Sequence, residues 1–296
     1  MNAAPPEPGI PGATSRTVTI ATADAGPLDL HVREIGTGDP VLLLHGWPQH
    51  GGCWRHVAEH LQDEFRLIAP DLRGFGHSAV TPGGYDPVTF ASDAAALLDA
   101  LEIDRAFVIG HDWGGSAAFA LGLRRPDRVR AMLVLNTAPP WVRVTPRLLA
   151  TAWRSWYAVA MATVGPFALR RRPDLLAAGM RRDAVHRDGL TAPDARAYVG
   201  LVRRRERLHA TTQLYRTYLR VMTGRGATAE LSQQELTVPT HFLFGTNDGA
   251  ISPLVLEGVE AHGHDLVVER VADSGHFICE EKPELVARRA RERFTA

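Results

Sequence analysis

Near the middle of the chain, the segment FVIGHDWGGS (Phe107 to Ser116) runs an apolar strand into small residues and then into the helix-like AAFALGL. Gly110, Asp112 and Gly114 give the spacing GxDxG of a sharp turn that presents one side chain between a strand and a helix. The glycines are needed because that turn is strained and the two elements approach closely. Asp at the centre, where Ser is the usual nucleophile, changes the chemistry. A carboxylate is already ionised at neutral pH, but its attack on an acyl carbon would give a high-energy anhydride. Attack on a saturated carbon bearing a leaving oxygen or halogen gives instead an ordinary alkyl ester, which water can cleave. That second step needs a base and an acid to orient it. His276, in ADSGHFICEEKPE, is the candidate base. Asp248, in FLFGTNDGAISP, is the candidate acid, favoured over Asp265 and Asp273 by the GTND turn after an apolar run. The backbone N–H groups of Trp47, in HGWP (His45 to Pro48), and of Trp113 are placed to hold the developing oxyanion.

Positioning these groups requires a particular scaffold. TVTIATADAGPLDLHVREI (Thr17 to Ile35) alternates β-branched and polar residues around Gly-Pro, which predicts an antiparallel pair at a sheet edge. Val41 to Leu44, Leu67 to Ala69, Ala106 to Ile109 and Met132 to Leu135 are short apolar runs separated by amphipathic segments. Such alternation predicts an α/β fold, a mostly parallel twisted sheet covered by helices on both faces. Pro87 to Leu101 and Glu284 to Phe294 read as amphipathic helices, and His241 to Phe244 and Leu266 to Val271 as late strands. From 139 to 236 the strand rhythm disappears, predicting an inserted helical lid over the carboxyl ends of the strands. The expected organisation is a flexible leader over 1–16, a core over 17–138 and 237–296, and a cap over 139–236. The cap holds 17 Arg against 7 Asp and Glu. A solvated outer face accounts for that excess, with attraction of anionic substrates as the alternative.

Composition bounds the function. The 296 residues carry 33 Lys and Arg against 33 Asp and Glu, with 45% hydrophobic and 22% charged residues. That balance argues against disorder and against nucleic-acid binding through global charge. Cys53 and Cys279 have no CxxC or metal-ligand spacing, so no metal is expected and a reduced, cytoplasmic compartment is the default. No apolar run approaches a membrane span, and the Pro-rich leader lacks the features of a signal peptide.

HGWP, DLRGFGHS (Asp71 to Ser78), GHDWGG, FGTNDG and SGHF, in this order, resemble the α/β-hydrolase superfamily and its epoxide hydrolase branch. The nucleophile, acid, His order matches that fold. The resemblance spans the chain from about Thr17 onward. It implies an enzyme without a cofactor, taking a small, largely apolar epoxide to a vicinal diol. It also implies two lid tyrosines that protonate the opening oxygen. TTQLYRTY resembles the segment carrying one of them and points to Tyr215, with Tyr218 the substitute if the register differs; RSWYAVAMATVGPFAL points to Tyr157. Haloalkane dehalogenases share the fold and the Asp nucleophile but lack that tyrosine pair. Fluoroacetate dehalogenases place Arg where Trp113 and Ser116 stand. A non-catalytic ligand-binding protein on the same fold is the rival from another class.

The remaining candidates have plainer readings. Trp47, Trp113, Trp141 and Tyr218 are taken to line an apolar pocket, although packing would explain such rings as well. His45 and His111 read as structural, Arg73 and His77 as scaffold near the active-site floor, and Cys53 as a small apolar filler.

Overall fold

The computed structural model describes residues 6–151, 153, 156–222 and 230–295. Along the chain, β1 (Thr14–Thr22), β2 (Gly26–Ile35), β3 (Asp39–Leu44), α1 (Arg55–Leu61) and β4 (Phe65–Pro70) come first. They are followed by α2 (Pro87–Ala100), β5 (Ala106–His111), α3 (Trp113–Arg124) and β6 (Val129–Leu135). Among the described residues, six α-helices then precede β7: α4 (Pro146–Ala150), α5 (Trp156–Ala162), α6 (Gly165–Arg171), α7 (Pro173–Asp183), α8 (Ala192–Val202) and α9 (Arg205–Met222). The chain closes with β7 (Thr240–Gly245), β8 (Leu266–Val271), α10 (Ile278–Glu281) and α11 (Pro283–Phe294).

The eight strands form one sheet in the order β1-β2-β4-β3-β5-β6-β7-β8. β2 pairs antiparallel with β1 and β4, and every other pairing is parallel. Residues along the central strands alternate between two buried layers, as the period of a strand dictates. Leu42, Leu44, Val108 and Val134 join the layer shared with α2 and α3, whereas Val41, Leu43, Ile109 and Leu133 join the one shared with α1 and α11. The sheet is thus covered on both faces, which is why these strands read as unbroken apolar runs. α2 starts where Pro87 follows a capping residue: the Asp86 side chain accepts from the Val88 and Thr89 N–H groups.

One expectation needs correction. Within the stretch read as a flexible leader, Ile10 is buried against the layer holding Cys53 and Trp54, and β1 already begins at Thr14. Residues 1–5 lie outside the described residues. A lone Ile among Pro and Gly carries no periodic signal, so its tertiary burial was invisible.

The helices of the 139–236 insert are fastened to the core by a buried polar group. Glu280 Oε1 accepts from Gln49 Nε2 at 2.7 Å and from the Tyr198 hydroxyl at 2.9 Å, while Arg55 Nη2 lies 2.7 Å from Glu280 Oε2. Burial pushes the Glu280 carboxyl up to about 7, against the opposing pull of Arg55. Cys53 and Cys279 are both buried free thiols.

Candidate active site

The turn after β5 holds Asp112 at φ 51°, ψ −117°, a left-handed conformation that costs a non-glycine residue energy. Neighbours overdetermine it. Asp112 N–H donates to the Leu135 carbonyl at 3.1 Å, and the Asp112 carbonyl accepts from Thr137 Oγ1 at 2.7 Å and from Ser116 N–H at 3.0 Å. The glycines make room: a Cβ at Gly114 would sit 2.1 Å from the Leu44 carbonyl, and one at Gly46 would sit 2.6 Å from Asp112 Oδ2.

The loop after β3 brings the Trp47 N–H to Asp112 Oδ2 at 2.9 Å. The Trp113 N–H, first in α3, also favours the ionised carboxylate. Burial lifts the Asp112 carboxyl to about 6, with the His276 charge and these two N–H groups pulling the other way.

His276 follows β8 and bonds Asp248 Oδ2 through Nδ1 at 2.8 Å. Asp248 is held in turn by Asn136 Nδ2 on Oδ2 at 2.8 Å, and by the Ala250 and Ile251 N–H groups on Oδ1, both at 2.8 Å. Burial works against its charge, but His276 and these hydrogen bonds hold the Asp248 carboxyl below the ordinary value. Burial likewise opposes the His276 cation. The Asp248 carboxylate with its hydrogen bond, then Asp112 and Asp183, outweigh it and lift the imidazole to about 10. The resting site is therefore an imidazolium between carboxylates.

From the insert, α9 and α5 bring Tyr215 and Tyr157 together, ring centroids 5.8 Å apart. Tyr215 meets Trp47 edge-on at 5.0 Å and Trp113 at 6.3 Å, and Tyr218 also lies 6.3 Å from Trp113. Burial holds the phenols of Tyr157 and Tyr215 well above the usual range, and the Asp112 charge adds to both. The Trp47 indole N–H is engaged by Thr211 Oγ1 of α9 at 3.1 Å.

Other candidates fall elsewhere. Trp141, expected to line the pocket, packs elsewhere. It is buried, stacked on His262 at 5.1 Å, edge-on to Phe119 and donating to the Gln234 carbonyl, so its ring serves the seam under the insert. His45 accepts the Leu72 N–H on Nε2, and His111 donates from Nε2 to the His276 carbonyl at 2.8 Å. Burial keeps His111 neutral, with a pKa near 3. Arg73 is buried between Asp24 and Asp93, and His77 pairs with Glu7 in a partly exposed position.

Sequence reasoning missed three groups that hold the His276 loop. Asn136 bridges Asp248 to the Gly275 carbonyl and accepts the Gly245 N–H. The Asp183 carbonyl accepts the His276 N–H at 3.1 Å. Glu281 accepts from four backbone N–H groups: Gly275 and Phe277, which flank His276, and Val185 and His186 of the insert, at 2.7 to 3.1 Å. The only signal was an acid five residues after the His. Changing Glu281 to Gln replaces an acceptor oxygen by an NH2 that faces these donors. This should cost about 2 kcal/mol of stability and slow a His276-dependent step about 100-fold through misplacement. Denaturant unfolding and single-turnover kinetics check the two effects.

Comparison with known proteins places this geometry. The α/β-hydrolase fold family matches residues 39–283. The soluble epoxide hydrolase of Corynebacterium sp. (strain C12) is 32% identical, the match covering 87% of this chain and 90% of that protein. The chain belongs to the α/β-hydrolase family. Haloalkane dehalogenase 2 of Mycobacterium tuberculosis is 29% identical to this α/β hydrolase, over 90% of this chain and 91% of that one. The solved structure of the epoxide hydrolase CorEH without ligand superposes with a TM-score of 0.75 at 28% identity, covering 96% and 99% of the two chains. Among the described residues, no helix of this α/β hydrolase is long and apolar enough to cross a membrane.

Proposed function

We propose that the protein is an epoxide hydrolase acting through a covalent ester on Asp112. The observation that carries this reading is Tyr215 set edge-on against Trp47 and Trp113, whose N–H groups flank the Asp112 carboxylate, with Tyr157 packed against Tyr215. Attack on an epoxide carbon by the free carboxylate oxygen forms a C–O bond and breaks the ring C–O bond. The leaving alkoxide takes a proton from a phenol, which buried tyrosines keep available at working pH. Oδ2, already held by the Trp47 N–H, becomes the ester carbonyl oxygen, so the oxyanion of the second step forms against donors that are in place.

Hydrolysis of the ester then needs His276 neutral. Esterification removes the Asp112 charge, one of the three that lift His276, and so brings the imidazole down toward its role as base. The imidazolium proton returns to the phenolate; neutral His276 then takes a proton from water, the hydroxide adds to the ester carbon, and collapse of the adduct passes its hydroxyl proton to the departing oxygen, releasing the diol and restoring the Asp112 carboxylate and the imidazolium. The Asp248 carboxylate orients the ring and balances its charge. The insert acts as the cap that carries the phenols and excludes water. Aromatic walls suit a largely apolar epoxide, and the two unbridged thiols suit a reduced compartment such as the cytoplasm.

The second reading, dehalogenation, is favoured by the mycobacterial relative, which aligns along almost its whole length. A departing halide needs N–H donors, and the Trp47 indole N–H is engaged by Thr211.

A single turnover of excess protein with styrene oxide in 18O-water tests the proposal. The diol should take its new oxygen from Asp112, leaving the label in the Asp112 peptide. Label in the diol with none in that peptide overturns the ester route, and halide release from a chloroalkane without any diol supports the second reading. Changing Tyr157 or Tyr215 to Phe should each slow ester formation about 10-fold or more, and the double change about 1000-fold, with ester hydrolysis nearly unchanged.

A further inference from the structure

The outer side of the insert carries an apolar surface that the catalytic reading does not use. On α5, Tyr157 turns inward to Tyr215, while Trp156 and Val159, three residues apart on one side of the helix, are 67% and 52% exposed. On α6, Phe167 is 60% exposed, and the exposed run Arg170 to Arg172 follows, with the Arg171 guanidinium over the Phe167 ring at 4.4 Å. Large apolar side chains gathered on one face of a water-soluble fold mark a contact surface.

Charge identifies the kind of surface it fits. Residues 143–175 hold six arginines against a single acid, Asp174, and Arg172 already pairs with that acid at 2.8 Å. Beside this face a groove of about 430 Å³ runs between α6 and α9, lined by Phe167, Leu208 and the guanidinium-bearing Arg170, Arg205 and Arg216. No carboxylate lines it. Exposed indole and phenyl rings interleaved with arginines match the boundary between acyl chains and anionic head groups. A second copy is the poorer occupant, because a two-fold contact through this face would set one arginine run against the other.

We propose that the outer face of α5 and α6 docks peripherally on an anionic phospholipid bilayer, with Trp156 and Phe167 entering the interfacial layer and Arg170, Arg171 and Arg205 meeting lipid phosphates. The exposed face and Tyr157 share helix α5, so docking places the insert where apolar compounds partition. The proposal stands whether or not the catalytic reading holds.

Co-sedimentation with extruded vesicles tests it, comparing phosphatidylcholine alone with phosphatidylcholine containing about 30% phosphatidylglycerol. The intact protein should partition at least about 10-fold more strongly onto the anionic vesicles and lose most of that preference between about 0.05 and 0.5 M salt. Trp156→Ser with Phe167→Ser, and separately Arg170→Glu with Arg171→Glu, should each weaken binding about 10-fold or more with an unchanged melting temperature. Equal or absent binding to both vesicle types overturns the proposal, as does wild-type binding by both variants. A dimer seen by light scattering that Trp156→Ser with Phe167→Ser dissolves also overturns it, in favour of a second copy.

Discussion

Changing His276 to Gln is expected to stop turnover while leaving the first chemical step intact. Asp112 would still attack, since its activation depends on being ionised and not on a base. The ester would then persist, because the group that activates water is gone. Mixing the variant with excess epoxide should give one stoichiometric adduct on the Asp112 peptide by mass spectrometry, while steady-state turnover falls about 10⁴-fold. The pH dependence of adduct formation adds a signed test. Burial sets the Asp112 carboxyl near 6 and the His276 charge pulls it down, so without that charge the acid limb of alkylation should move up from about 6. An unmoved acid limb would mean that His276 and Asp112 do not share a field. Rapid loss of the adduct would mean that another group activates water.

Changing Asp112 to Asn is expected to abolish both phases, with a loss of about 10⁴-fold or more and no adduct at any pH. The amide oxygen can still accept the Trp47 N–H, so the fold should persist. Its thermal stability should also reveal the strain of the wild-type carboxyl. In the folded chain that group titrates near 6 and in the unfolded chain near 3.8, so between those values the unfolded state releases the proton first. Wild-type stability is therefore eroded as pH rises from about 4 to 6 and gains nothing back above that. The melting temperature of the variant relative to wild type should climb through this window and then level off, which calorimetry across pH 4 to 8 checks. A flat difference would show that Asp112 is not desolvated.

The proposed acid, base and nucleophile are singled out in the sequence because each sits where the backbone has almost no freedom. Gly110 is forced by the close passage of β5 and α3, Gly114 by the end of β3 beside α3, and Gly275 by the Asp183 carbonyl, which a Cβ there would meet at 2.1 Å. Motifs therefore record steric necessity. The groups that escaped notice act across the fold through main-chain atoms. Glu281 bonds four N–H groups on segments nearly one hundred residues apart, and such bonds leave no side-chain pattern to read. Asn136 looks like any polar residue after a strand, yet its positive φ of 38° and its bond to Asp248 make it part of the acid's support. Trp141 misled for the opposite reason. Its type suggested a pocket wall, but the ring finds His262 and Phe119 in the seam, and residue type alone cannot distinguish the two sides of a loop. Helix α2 was legible nearly to the residue because Asp86-Pro87 encodes its own start.

The bond from the Trp47 indole to Thr211 has a consequence for how such a protein can be altered. One partner lies on the loop whose N–H meets Asp112 Oδ2 and the other on the helix that carries Tyr215. The helical insert is thus not an exchangeable module: a graft that brings a new segment without a hydroxyl at position 211 would also disturb the loop that meets Asp112. On the proposed reading, one side-chain contact ties the helix that presents a phenol to the loop that faces Asp112, so an engineer has to treat positions 47 and 211 as a single unit of inheritance.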